Sequence, residues 1–312
     1  MSQHRILLIE HQAYLCIDIG RLVIRRQKLD PAYILPADID VLCLHHPAIT
    51  VSVQAIQILA ESGVIVLFVD NKHQPIAQLY PLLAPMRQTL RLFQQWKLNN
   101  QPLRGILWQQ LVKGRLLSEA ATLKALNKTG YLFLQRLAAL VEPGDSGQCE
   151  GQGARHYWKH LFCKQFNRIK QGADDGINVR LNFGYAVLRS MICRSLICIG
   201  LNGCIGLGHR NLQNPFNLAD DFIEPYRFLI EWQVVKNIIE NQNQEFDGSA
   251  KKEILQALIL DIPFEKCDYR VPTAIDTTIS SFAKILDNLD GKKTVLPLVL
   301  PSYEKWALTV GE

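Results

Sequence analysis

The sequence predicts an α+β fold: a small N-terminal β domain over residues 1–85, followed by a larger all-α domain over residues 86–312. Three observations carry this. The first 80 residues are short, β-branched runs of strand length. After Pro81 and Pro85 the apolar positions fall at helical spacing and keep it. The 312 residues suffice for two domains at roughly 150 residues each. Hydrophobic residues make up 48% and charged residues 20%, which supplies a core and excludes a disordered chain.

In order, residues 5–10, 13–18 and 21–24 read as strands separated by His11-Gln12 and by Gly20, the pattern of a meander. Apolar strands at 39–44 and 64–69 flank a helix near 53–61, and 76–80 closes the sheet. Helical spacing marks 86–98, 104–126, 130–141, 151–170, 177–201 and 216–241, with further helices expected at 249–260 and 273–288. Pro225 marks a kink or local break inside one of them. The N-terminus lacks the pattern of a signal peptide. The most apolar long stretch, 185–207, is interrupted by Arg189 and Arg194, so a buried helix is expected and not a membrane span. Eight cysteines include no C-x-x-C pair, so free thiols are expected and zinc is not. Together these features predict a cytoplasmic protein with no membrane partner.

The formal net charge of +5 is unevenly spread. Residues 80–140 hold nine basic side chains against the single acid Glu119, and residues 150–194 hold eight against three. Residues 195–312 hold 11 against 16. A basic central band beside an acidic last third suits a protein that holds a polyanion, although solvated helix faces would give the same count.

Polar chemistry concentrates in three places. At residues 149–158, Glu150 stands near a predicted helix start, and Gly151 and Gly153 permit close approach of another backbone. At residues 206–211, glycines flank His209 on a loop. At residues 217–227, Glu224 lies three residues after Asp221 and four after Asp220, so it can share a helix face with either. Carboxylates on a largely apolar helix call for pairing or a metal. Two carboxylates and an imidazole suit Mg²⁺ or Mn²⁺, the nitrogen tilting the choice towards Mn²⁺. The alternative is plainer: Asp220 and Asp221 favour the helix start electrostatically while Glu224 pairs with Arg227.

These residues carry a resemblance. The run 181–189, the glycines approaching His209, the run 214–227, and Glu150 with Gly151, Ala154 and Tyr157-Trp158 are together similar to the CRISPR-associated endonuclease/integrase family. That family is the catalytic subunit of the universal CRISPR adaptation pair, and this compact chain resembles members from type II systems. The resemblance implies that Glu150, His209 and Glu224 are metal ligands and catalytic residues, with Asp221 a ligand or a partner behind one. Many members carry Asp where this chain has Glu224. It also implies a homodimer formed through the β domain, a small second adaptation protein as partner, and double-stranded DNA, prespacer and repeat, as substrate. The implied reaction is attack of a prespacer 3′-hydroxyl on a phosphodiester at the repeat end, with hydrolytic cutting as a by-product. Arg104, Lys113, Arg115, Arg210 and Arg227 are the expected DNA contacts.

Other readings are weaker. His156 and His160 are i,i+4, but no Glu follows the first His as a zincin would need. Tyr157 and Trp158 suit base stacking or a core. His45-His46-Pro47 reads as a turn. Arg189 and Arg194 are expected either to pair with buried acids or to reach phosphates. Two further functions share the pattern: a catalytically inactive DNA-binding scaffold subunit, and the integrase of a related mobile element.

Overall fold

A computed structural model describes residues 5–69, 75–79, 87–170, 172–240, 246–264, 267–289 and 297–310. The N-terminal part runs β1 (Arg5–Ile9), β2 (Tyr14–Asp18), β3 (Arg21–Arg25), β4 (Ala32–Ile34), β5 (Ile39–Leu44), β6 (Thr50–Val51), α1 (Val53–Glu61), β7 (Ile65–Val69) and β8 (Pro75–Leu79). These strands form two sheets, β1-β5-β7-β8 and β4-β3-β2-β6. The β2–β3 hairpin turns on Ile19 and Gly20, both at positive φ, as a tight hairpin with native twist requires.

The expected meander fails at β1, which pairs in parallel with β5 and leaves β2 to the other sheet. The reason is burial. All six residues of β5 are buried, and such a strand needs apolar neighbours on both edges, here β1 and β7. Alternation along this sheet then serves two cores. Val41, Cys43, Ile65 and Leu67 face the helices, while Leu42, Leu44, Val64 and Val66 face the second sheet and α1. The short strands β4 and β6 carry too few residues to show a period. Residue 80 and the expected domain boundary at 85 lie outside the described residues.

The helical part contains α2 (Gln88–Asn99), α3 (Pro102–Ala125), α4 (Tyr131–Leu140), α5 (Cys149–Leu161), α6 (Gly176–Cys198), α7 (Asn217–Ile223), α8 (Arg227–Glu240), α9 (Gly248–Gln256), α10 (Val271–Asp287) and α11 (Tyr303–Val310). The helix expected over 151–170 ends at Leu161. Phe162 leaves helical geometry and stacks on Trp158 with ring centroids 6.0 Å apart, and Phe166 folds back to 5.5 Å from the same ring. Tyr157 and Trp158 are therefore core residues. The helix expected over 216–241 breaks into α7, a 3-10 turn at Glu224–Tyr226 and α8, because Pro225 cannot donate the next helical bond. A hairpin of β9 (Asp261–Phe264) and β10 (Cys267–Arg270), and α11, were not foreseen; Pro263 hides the first and the shortness of α11 the second.

Helix α6 is the buried helix expected inside 185–207, and no described helix is long and apolar enough to cross a membrane. Its Arg194 reaches Asp40 at 3.2 Å and the Gly63 carbonyl, tying the helix to the parallel sheet. The cysteines are free thiols.

Candidate active site

Helix α3 runs through the helical core and carries Arg115 and Glu119 at i,i+4, both buried. Helix α5 packs directly on it at Gly153. A Cβ there would come within 2.1 Å of Leu116 Cδ2, so a side chain at this position would force Leu116 or α5 to shift. Gly151, by contrast, faces open space, which corrects the expectation that both glycines serve packing. Asp145 accepts from the amides of Cys149 (2.8 Å) and Glu150 (3.1 Å), fixing the first turn of α5. Glu150 is thereby presented beside α3, and its Oε1 accepts from Arg115 Nη1 at 2.7 Å.

Glu224 arrives from the opposite side, on the break that Pro225 makes between α7 and α8. It is buried, and its Oε2 lies 2.6 Å from the same Arg115 Nη1. That contact is one of charge, since Oε2 has no hydrogen-bond donor. Its Oε1 accepts from Arg227 Nη1 at 3.3 Å. Burial works against the Glu224 carboxylate, but Arg115 and Arg227 outweigh it and hold the group below its ordinary value. Arg227 also donates to Glu231, which accepts from the hydroxyls of Tyr157 (2.8 Å) and Tyr185 (2.5 Å). Glu119 is pushed up to about 7 by burial, against the pull of Arg115.

The His209 loop is set by Asp221, which is fully buried at the end of α7. Its carboxylate accepts from the amides of Leu207, Gly208 (3.2 Å) and His209 (2.9 Å), and pairs with His209 Nδ1 at 2.9 Å. Gly208 lies flat against Trp108, whose ring a Cβ would meet at 2.3 Å. The hydrogen bond to Asp221 raises the His209 pKa, burial opposes it, and the charges of Asp221, Glu224 and Glu150 add to the rise. Asp221 thus stands behind the imidazole, leaving Nε2 as the ring's available donor atom. Asp220 takes a third direction, accepting from Asn214 at 2.7 Å and facing Arg189 at 3.6 Å.

A cleft of about 810 Å³ opens beside this cluster, lined by His209, Glu224 and Asp220 and by the cations Arg168, Lys170, Arg189, Arg210 and Arg227. Of the five expected DNA contacts, Arg210 lines it exposed, and Arg227 lines it with its guanidinium already engaged by Glu224 and Glu231. Arg115 is corrected: it is buried among Glu119, Glu150 and Glu224 and offers no surface to DNA. Three carboxylates within one guanidinium's reach draw it inward. Arg104 sits in a separate crevice, 3.4 Å from Asn99 Oδ1, and Lys113 in a groove between α3 and α11. Arg168, Lys170 and Arg189 carry the cleft, and the basic count over 150–194 was their signal. Arg189 also lies over Phe216 at 4.9 Å. His156 and His160 stack on each other 4.0 Å apart, and His156 Nε2 lies 3.1 Å from the Gly130 carbonyl oxygen.

Among the described residues no group of three or more His, Cys, Asp or Glu side chains is arranged to enclose a metal ion. Arg115 Nη1 lies 2.7 Å from Glu150 Oε1 and 2.6 Å from Glu224 Oε2. The donor set nevertheless fits a divalent cation. Two carboxylate oxygens already converge on one positive centre, Glu224 Oε2 lacks a donor, and the nearby imidazole has its Nδ1 occupied from behind.

Residues 6–261 match the family model described as CRISPR associated protein Cas1. The chain is 32% identical over 303 residues, 96% of this chain and 98% of the other, to the CRISPR-associated endonuclease Cas1 of Neisseria meningitidis serogroup C (strain 8013). Its fold resembles a casposase bound to integration product, with a TM-score of 0.76, 19% identity, and coverage of 97% of this chain and 93% of that one. It also resembles a chain of a Cas6-RT-Cas1–Cas2 complex, with a TM-score of 0.74, 17% identity, and coverage of 95% of this chain and 36% of that one. The family match spans both sheets and the helices, loop and turn that carry Glu150, His209, Asp221 and Glu224, and the chain belongs to the Cas1 family of CRISPR-associated proteins.

Proposed function

We propose that this chain is a metal-dependent DNA endonuclease and integrase that inserts prespacer DNA into a CRISPR array. The observation that carries the proposal is the convergence of Glu150 and Glu224 on one cationic centre, with Glu224 and His209 in the wall of a cleft lined by five basic side chains. Glu150, His209 and Glu224 would hold Mg²⁺ or Mn²⁺. When bound, such an ion supplies Lewis-acid polarisation of a phosphoryl oxygen and offsets charge developing in the transition state.

The chain's own groups do the rest. Asp221 holds the His209 ring and three loop amides, so that Nε2 is presented in one orientation. Arg227, anchored by Glu231, fixes Glu224 and is a positioning residue more than a DNA contact. Arg168, Lys170, Arg189 and Arg210 bind the phosphates of the prespacer and repeat strands along the cleft. A prespacer 3′-hydroxyl seated there attacks the repeat phosphorus, forming a new phosphodiester while the bond to the adjoining strand's 3′-oxygen breaks. That oxygen leaves as a 3′-hydroxyl, the proton it gains balancing the one lost by the attacking hydroxyl. Water in place of the prespacer gives cutting.

The same reading has the chain acting in the cytoplasm as a homodimer with a small second adaptation protein. Exposed Tyr33 and Leu35, on and just after edge strand β4, support a dimer through the β domain. An integration assay with a repeat-containing plasmid and Mn²⁺ tests the reaction. Glu150→Ala and His209→Ala are expected to lose on the order of 10²-fold in strand transfer or more. Equal product from the variants and the wild type would leave a DNA-binding scaffold.

A further inference from the structure

We propose that Arg115 is a resident counter-cation of the site, neutralising Glu150 and Glu224 until a divalent ion binds and then withdrawing onto Glu119. This rests on the metal reading above. The guanidinium is built for such a shift. Nη1 lies 2.7 Å from Glu150 Oε1 and 2.6 Å from Glu224 Oε2, while Nε is already anchored on Glu119 Oε1 at 3.0 Å. Glu119 is buried, and its second oxygen has no hydrogen-bond partner. A buried carboxylate oxygen left unpaired is costly, so its persistence calls for a reason. The reason offered here is a second seat. A rotation of the guanidinium about its anchored Nε would exchange the charge contacts to Glu150 and Glu224 for a two-pronged pairing with Glu119, the geometry arginine and carboxylate prefer.

The charge balance points the same way. Arg115 and Arg227 face four buried or half-buried carboxylates, Glu119, Glu150, Glu224 and Glu231. With burial pushing Glu119 up to about 7, the two guanidinium charges leave this group short by between one and two positive charges near neutral pH, a deficit a divalent cation would fill. Without the ion, Arg115 is shared between the two ligand carboxylates; with it, each guanidinium keeps one acid of its own, Arg115 with Glu119 and Arg227 with Glu231.

The test is Mn²⁺ binding to the full chain, stripped with EDTA and dialysed, followed by the electron paramagnetic resonance of free Mn²⁺ and by melting temperature. Glu119→Gln removes the second seat and is expected to weaken Mn²⁺ affinity by about tenfold. Arg115→Met removes the competing cation, so the rise in melting temperature on adding Mn²⁺ should exceed that of the wild type. If Arg115→Met does not fold, Glu119→Gln carries the test alone. Unchanged Mn²⁺ affinity in Glu119→Gln, with affinity abolished in Glu150→Ala, would overturn the role of Arg115 and leave the metal site standing. Wild-type binding no tighter than that of Glu150→Ala would overturn the metal reading and this proposal with it.

Discussion

Asp221 shows how one buried carboxylate organises a loop. Fully excluded from water, it satisfies three amides and an imidazole, and burial raises its pKa against the pull of His209. Asp221→Asn is expected to keep most amide contacts but weaken the hold on Nδ1, lowering Mn²⁺ affinity by about 10- to 100-fold. Mn²⁺ titration of the variant checks this, and unchanged affinity would count against the role. The same pair predicts a pH dependence in metal-free protein. His209 titrates above its ordinary value of 6.5, so its contribution to stability is full below that pH and is lost as pH rises through the raised value. In EDTA, the melting-temperature gap between wild type and His209→Gln should therefore be larger at about pH 5.5 than at about pH 8.5. A gap that is constant or widens with pH would contradict the pairing. At this scale residue type and spacing marked the three polar segments, and the family resemblance named the candidate ligands within them. The partner of each was not, because Asp220, Asp221 and Glu224 are near in sequence yet turn to Asn214, His209 and Arg115.

Elements bring these residues together by close approach. Helices α3 and α5 meet at Gly153, and Gly153→Ala inserts a methyl into the fully buried side chain of Leu116. Overpacking of this kind costs about 1–3 kcal/mol. Thermal or urea unfolding should show that loss, partly restored in Gly153→Ala/Leu116→Ala; a neutral Gly153→Ala would mean Leu116 or α5 can shift without cost. The break at Pro225 is the second device. By ending α7 and restarting as α8, it directs Glu224 and Arg227 to different sides of one ion-pair network. Helix periodicity placed most of these elements within a few residues. It failed where packing overrode pattern, at the aromatic stack that ends α5, and where elements were too short to show a period, at β4, β6 and α11.

For the whole molecule, the parallel sheet is a wall between two cores, so the β part is anchored to α6 by Arg194–Asp40 and by Gln78–Ser190. The central basic band splits on folding. Arg91 and Arg115 go inward to acids, whereas Arg168, Lys170, Arg189 and Arg210 gather at the cleft. Charge reversal at Arg189 and Arg210 should therefore lower DNA affinity and reduce its salt slope by about 1 for each phosphate no longer neutralised. Reversal at Lys113, in the α3–α11 groove, should change the slope much less. Equal effects at both places, measured by salt-dependent DNA binding, would move the DNA surface away from the cleft.

Alternation and helical spacing along the chain were enough to determine the β-then-α order; residue types marked three polar segments, and the family resemblance singled out Glu150, His209, Asp221 and Glu224 within them. Tertiary structure decided which charges meet. Arg115 lies 35 residues from Glu150 in sequence, and no local period encodes such a contact. Folding turns a residue counted among the basic band into the cation shared by two acids of the site. The physical reason is the low dielectric of the core: a charge placed there must find a partner, and the fold alone determines which partners are within reach.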